Sequence, residues 1–300
     1  MATLRPAQAR SHYLRQALIA SQAVAAIRTL FQRRRPLSEV VTTVSAYQLA
    51  AATTASTAIA QAADDQAALT TATAFAGVSS AGFPISEPIV ATIDHFVPAP
   101  PEALPDNWWT DAAKFMASVE QLIASEIQDA ARAAAQVEMN ARPDWQNYVR
   151  VLNPPSCKRC VVLAGRIYRD LEGFKRHPGC DCQHWPVQDW EEAHDAGLVS
   201  SPREAFEKGM IRDLTEAETQ AIKDGADITK VINSAQGIST ADLFGRRVKV
   251  TNYGTTRRSA WRKANPTLLV RLRPESIYRI ADGDRAEALR LLRLYGYLTS

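Results

Sequence analysis

Aromatic residues are scarce in this chain of 300 residues, at 7%, although the hydrophobic share is an ordinary 46%. Much of that share is alanine, so a core must rest on Ala, Val, Leu and Ile. Alanine favours helix, whereas strands favour β-branched and aromatic side chains, so the composition points to closely packed helices rather than to sheets. Long apolar runs are also missing. None approaches the roughly 20 residues that cross a bilayer, which excludes a helical membrane protein and gives no reason to expect a membrane partner. The N-terminus lacks the apolar stretch of a secretory leader, because Arg5, Arg10 and Arg15 interrupt it. The expectation is a soluble protein made in a cytoplasm. There is no internal repeat. No serine sits in a G-x-S-x-G elbow, and His95 and His194 stand isolated in the sequence, so no catalytic residue is nominated.

Acids are nearly absent from the first fifty residues, which carry seven arginines and a single Glu39. The net charge is only +3, because the segment 101–150 is acidic before the last sixty residues turn basic again. Two clusters stand out: Arg33, Arg34 and Arg35, and then Arg246, Arg247, Lys249, Arg257, Arg258, Arg262 and Lys263. Either could face nucleic-acid phosphates or an acidic docking partner; a solvated surface is the plain alternative. Charge alone names no partner.

Apolar spacing predicts a helix over 4–32, with Leu14, Ala17, Ala20, Val24, Ile27 and Phe31 as its stripe. The three arginines suit the negative end of its dipole, and Pro36 stops it. A second helix runs from Leu37 to about Gln66 on Val40, Val44, Tyr47, Ala51, Ala55, Ala58 and Ala62, small residues that bury little each and call for a neighbour. Residues 76–107 read as loops and a proline-rich connector, "VPAPPEALP". A third helix spans 110–140, capped by Thr110 or Asp111, with Phe115, Met116, Val119, Leu122, Ile123, Ile127, Ala130, Ala134 and Val137 on its apolar face. Trp108 and Trp109 at its head are expected to pack against neighbours. Beyond residue 145 the texture becomes mixed α+β. Helices are expected near 187–196, 202–208 and 216–224, the last with a capping box at Thr215 and Glu218 and a stop at Gly225. "RRVKVTN" and "TLLVRLR" read as strands, "PESIYRIA" and "DRAEALRLLRLYG" as helices. The fold class is therefore mainly α: a helical arm over 1–107, then a compact α+β domain over 108–300 containing a cysteine-rich segment, 154–186.

That segment holds every cysteine. Cys157 and Cys160 form C-x-x-C, Cys180 and Cys182 form C-x-C about twenty residues later, and His177 and His184 flank the second pair. Two donor pairs separated by a loop resemble a structural zinc site, since thiolate and imidazole suit Zn²⁺ and a short turn aims two side chains at one point. Six candidates compete for four positions. All four cysteines are the plainest set, though a histidine could replace Cys180 or Cys182. Reduced, packed cysteines and disulfides are the alternatives. A redox pair lacks the setting of a thioredoxin fold, and four crowded thiols argue for coordination rather than one activated nucleophile. A zinc-bearing DNA-binding regulator would need the C-x₂₋₄-C-x₁₂-H-x₃₋₅-H pattern, which this chain lacks.

C-x-x-C, three residues, Ala164-Gly165, a variable loop and then His177-Pro178-x-Cys180-x-Cys182 before Trp185-Pro186 resembles the signature of the phage Mu protein F-like family. "NPPSCKRCVVLAGRIYR" and "FKRHPGCDCQHWP" are similar in particular to the version in phages of actinobacteria, and "AIKDGADITKVINSAQG", "GTTRRSAW" and "RPESIYRIADGDRAEALRLLRLYGYL" extend the likeness over roughly 110–297. The resemblance implies a low-copy minor capsid, or head-morphogenesis, protein inside the virion head near the portal, aiding assembly and genome packaging or delivery. Its implied partners are the portal protein, the major capsid or scaffolding protein, and packaged double-stranded DNA touched without sequence preference. A capsid maturation protease is the alternative function that such a neighbourhood implies.

Overall fold

The computed structural model describes residues 6–63, 67–96, 108–142, 147–169, 177, 180, 182–243 and 245–298. In chain order come helices α1 (Pro6–Gln32), α2 (Leu37–Ala62), α3 (Ser86–Phe96) and α4 (Trp108–Asn140), then strands β1 (Asn147–Val151) and β2 (Ser156–Cys157). Helix α5 (Lys158–Ala164) precedes β3 (Tyr168–Arg169), β4 (Gln183–Val187), α6 (Trp190–Asp195), α7 (Pro202–Glu207) and β5 (Ile211–Arg212). The remainder is α8 (Glu216–Lys223), α9 (Ile228–Asn233), β6 (Ile238–Leu243), β7 (Arg246–Thr251), α10 (Ala260–Ala264), β8 (Arg271–Leu272), α11 (Pro274–Ala281) and α12 (Arg285–Leu294). The fold is mainly helical with a few small sheets, as the alanine-rich composition implies. It divides into two compact units, Met1–Asn153 with Arg166–Ser200, and Pro154–Gly165 with Ser201–Ser300. No helix among the described residues is long and apolar enough to cross a membrane.

In the first unit α1, α2 and α4 pack on one another, with α3 against α4. Alanines line the seam: Ala20 and Ala23 of α1, Ala51, Ala52 and Ala55 of α2, and Ala131, Ala134 and Ala135 of α4 are buried. The stripe expected on α1 is shifted. Leu14 is 49% exposed, whereas His12, Tyr13 and Gln16 are buried, because the Gln16 amide donates to the Ala51 carbonyl at 3.1 Å and can enter the interior. Val137, expected inside, is also exposed, and its neighbour Glu138 is fully buried. Glu138 accepts the backbone N–H groups of Leu69 and Thr70 at 2.9 and 2.7 Å and pairs with Arg142. Burial acts to raise its pKa, but hydrogen bonds from Thr70, Leu69 and Arg142 outweigh it and hold the carboxyl below its ordinary value. Glu126 grips Ser80 in the same manner, and the Gln48 amide bridges Gly77 N–H and Val78 C=O. Polar side chains on the buried faces thus tie down the long connection after α2.

That connection corrects one expectation. Residues 76–107 were to be loop, but Ser86–Phe96 is helix α3, with Ile89 on its buried side. Ser86 and Glu87 suit a helix start, and Pro88 is tolerated in the first turn, where its missing N–H would find no partner. Helix α4 begins at Trp108, earlier than a cap at Thr110 or Asp111 allows. The side chains of Trp108 and Trp109, and the connector at 97–105, lie outside the described residues, as does the stretch 64–66 assigned to the end of α2. The unit's sheet is antiparallel in the order β3-β1-β4, with Val149 opposite Trp185 and Arg150 opposite His184. All five residues of β4 are buried.

The second unit packs α8, α9, α11 and α12 against the antiparallel sheet β6-β7-β8 around Ile222, Val231, Val250, Leu272, Ile277 and Leu291. Both capping boxes, Ser201 with Glu204 and Thr215 with Glu218, close helix starts, and α11 and α12 fall where the apolar period puts them. "TLLVRLR" supplies only Arg271–Leu272 to a strand. Arg262 donates to the carbonyls of Asn265 and Leu268, which holds the preceding residues as a loop and leaves Leu269 72% exposed. Buried Arg271 donates to Tyr295 C=O at 2.7 Å and lies over the Tyr297 ring at 4.4 Å, while the Tyr297 hydroxyl donates to Leu272 C=O. Gly296 makes this closure possible. Its φ is +70°, and a Cβ there would meet Trp261 Cδ1 at 2.7 Å. Gly296→Ala is therefore expected to lower stability by about 1–3 kcal/mol. Equal denaturant midpoints for the two proteins would contradict that account.

Candidate metal centre

The two cysteine pairs are built by different local devices, one in each unit. In the second unit Cys157 ends β2 and occupies the N-cap of α5, with φ −62° and ψ 144°. Its sulfur accepts the Cys160 N–H at 3.3 Å. This turn is the reason for the C-x-x-C spacing: an extended residue followed by the first helical turn brings two thiols to one side. Cys160 is buried and Cys157 half-buried. The turn is fixed from two directions. Ser156 pairs with Ile211 in the parallel β2-β5 ladder, and Lys158 reaches the buried Glu218 carboxylate at 2.6 Å. Glu218 also serves the α8 capping box, so one carboxylate ties two helix starts together.

In the first unit Cys180 and Cys182 are buried, with sulfurs 2.8 Å apart and no disulfide between them. Their backbone is held by Arg132 of α4. The Arg132 Nε donates to Cys182 C=O at 2.7 Å, and one of its terminal nitrogens donates to Cys180 C=O. The same terminal nitrogen also donates to Gln128 and the other one to Asp129, so every nitrogen of the guanidinium is engaged although the residue is only 4% exposed. Arg150 of β1, fully buried, approaches Cys180 Sγ at 4.0 Å.

His177 is half-buried, and its carbonyl accepts the Cys180 N–H. His184 is placed differently. It lies in β4 with its ring 4.8 Å from Tyr148, and burial, then the charges of Arg132 and Arg150, push its pKa well below the ordinary value. Among the described residues two groups of donors could each hold a metal ion, Cys157 with Cys160 and His177, and Cys160 with Cys180 and Cys182, the ligand atoms of each group lying within 4.8 Å of one another; His184 is in neither group. The donors fit a thiophilic metal, since four sulfurs and one imidazole are available without a carboxylate.

The basic clusters are less uniform than their sequence suggests. Arg35 is bound to Glu39 in a two-pronged pair, and Arg262 is spent on its own loop, whereas Arg33 and Arg34 are exposed at the end of α1. Arg246, Arg247, Lys249, Arg257, Arg258 and Lys263 are exposed on the second unit. Sequence reasoning missed Arg132 and Arg150. The signal for Arg132 was present, a lone cation among alanines in "DAARAAAQ", where a buried charge demands a partner.

Arg132→Met removes the fork that holds both cysteine carbonyls and leaves Asp129 buried beside an apolar chain. The expected loss is about 3–5 kcal/mol, with Arg132→Lys recovering only part, because an ammonium cannot reproduce the planar fork. Thermal unfolding would measure this, and an unchanged midpoint in Arg132→Met would exclude the clamp.

A search among curated proteins and a search among solved structures each returned no match. A family model described as VG15 protein matches residues 4–209, more than half of the chain, including all four cysteines. With its two cysteine pairs inside the matched stretch, the chain belongs to the VG15 protein family, a family of phage proteins.

Proposed function

We propose that the chain is a minor capsid protein of a tailed phage, located inside the head near the portal, where it aids head assembly and genome packaging or delivery. The observation that carries this reading is the Cys157–Pro186 signature within a phage-family chain, because that pattern resembles the Mu protein F-like head-morphogenesis family. The residues support a structural rather than a catalytic use of the signature. The sulfurs of the second pair are buried, and their backbone is locked by a guanidinium, which suits a staple better than a nucleophile that must meet substrate.

In this reading Cys157, Cys160, Cys180 and Cys182 close one tetrahedral zinc site, with His177 as the alternative donor. A closed all-protein set leaves no open position for water or substrate, so the metal contributes folding free energy rather than Lewis acidity. The partners are the portal protein, the major capsid or scaffolding protein, and packaged double-stranded DNA. Arg33, Arg34 and the exposed cations from Arg246 to Lys263 supply nonspecific phosphate contacts, which weaken steeply with salt.

Two measurements test the proposal. Elemental analysis of protein purified without chelator should give close to one zinc per chain, and Cys157→Ser should lose that zinc and unfold at lower temperature; metal-free, fully folded protein would remove the staple. Mass spectrometry of purified mature particles should find the chain at low copy. Its absence from particles, together with specific cleavage of the major capsid protein during assembly, would favour a maturation protease instead.

A further inference from the structure

We propose that the α1–α2 seam of the first unit carries a binding pocket for a phosphate-class oxyanion, formed by Ser11, His12, Arg15, Thr54 and Gln61. These residues, with Gln8 and Ala58, line a partly enclosed cavity of about 80 Å³. That is well above the roughly 10–15 Å³ that a single water needs on the same measure, so the space admits a group larger than water.

The chemistry of the lining selects for negative charge. It contains a guanidinium, two carboxamides, two hydroxyls and an imidazole, and no carboxylate. His12 is only 3% exposed, and neither of its ring nitrogens has a hydrogen-bond partner among the described residues. A buried imidazole without partners is costly, and buried polar groups are normally satisfied, so the orphan ring points to a ligand that its N–H meets. Burial, and then the nearby Arg15 charge, push His12 down to about 4. The ring is thus neutral near pH 7 and presents one N–H donor, while Arg15 supplies the charge. A second orphan lies beside it: the indole N–H of buried Trp185 has no acceptor among the described residues, and the two rings are 5.8 Å apart. The helix dipoles do not decide the matter, since α1 brings its N-terminal part and α2 its C-terminal part to the pocket. Selectivity rests on the side chains.

The size limits the source. A small, partly enclosed space suits a free phosphate ion better than a phosphodiester flanked by two sugars. The test uses the full chain and inorganic phosphate, titrated at constant ionic strength against chloride. Phosphate should raise the thermal midpoint saturably by about 2–5 °C, as binding to the folded state alone requires. Arg15→Gln changes an exposed side chain and should fold normally while weakening phosphate binding at least tenfold. His12→Gln should do the same where it folds, and the His12 ring resonances should shift during the wild-type titration. No saturable rise, or a rise of equal size in Arg15→Gln, overturns the proposal. Stabilisation by duplex DNA but not by inorganic phosphate overturns it too, because it would assign Arg15 to an open backbone contact.

Discussion

An alanine methyl buries little surface, and at roughly 0.8 kcal/mol per buried CH₂-sized group no single one can hold two helices together. The first unit depends on many of them acting in register, so that α1, α2 and α4 approach closely along Ala20, Ala23, Ala51, Ala55, Ala131 and Ala134. Close approach leaves no room for large side chains at the seam. It also brings the Ala51 carbonyl of α2 within reach of the Gln16 amide, while Gln48, Glu126 and Glu138 are buried because they bond main-chain groups of the connection after α2. The scarcity of aromatics and the abundance of buried polar fasteners are two results of the same composition.

Arg132 extends this logic to the cysteines. A buried guanidinium is tolerated only where its donors are met, and here they meet two carbonyls, Asp129 and Gln128. The long helix thereby fixes the backbone of the Cys180–Cys182 pair independently of whatever the sulfurs bind. In the second unit Glu218 has the corresponding part, joining Lys158 at the start of α5 to the cap of α8. Each pair is thus oriented by one fully used charged side chain from a neighbouring helix.

Much of this was legible in the sequence where local physics decides. The α11 and α12 periods, the Thr215–Glu218 box and the turn at Gly225 need only neighbouring residues to be read. What escaped depends on distant partners. Leu14 faces out and Gln16 in because a carbonyl of α2 accepts the amide, and hydropathy carries no trace of that bond. Strand β4, fully buried through Gln183, His184 and Pro186, has no alternation to detect, and its pairing with β1 is set across more than thirty residues. The cysteine spacing was readable as a donor set, while the placing of His184 beside Tyr148 follows from the strand that carries it.

The interleaving of the two units has a consequence for synthesis. Strand β1 ends at Val151, yet both strands that flank it are made later, and before the first of them the ribosome delivers β2 and α5 to the other unit. The helices of the first unit can gather early, but one edge of β1 stays open until Arg169 has emerged and the other until Val187 has. A fragment ending near residue 153 would therefore expose two bare strand edges, and no single cut in the chain releases either unit whole.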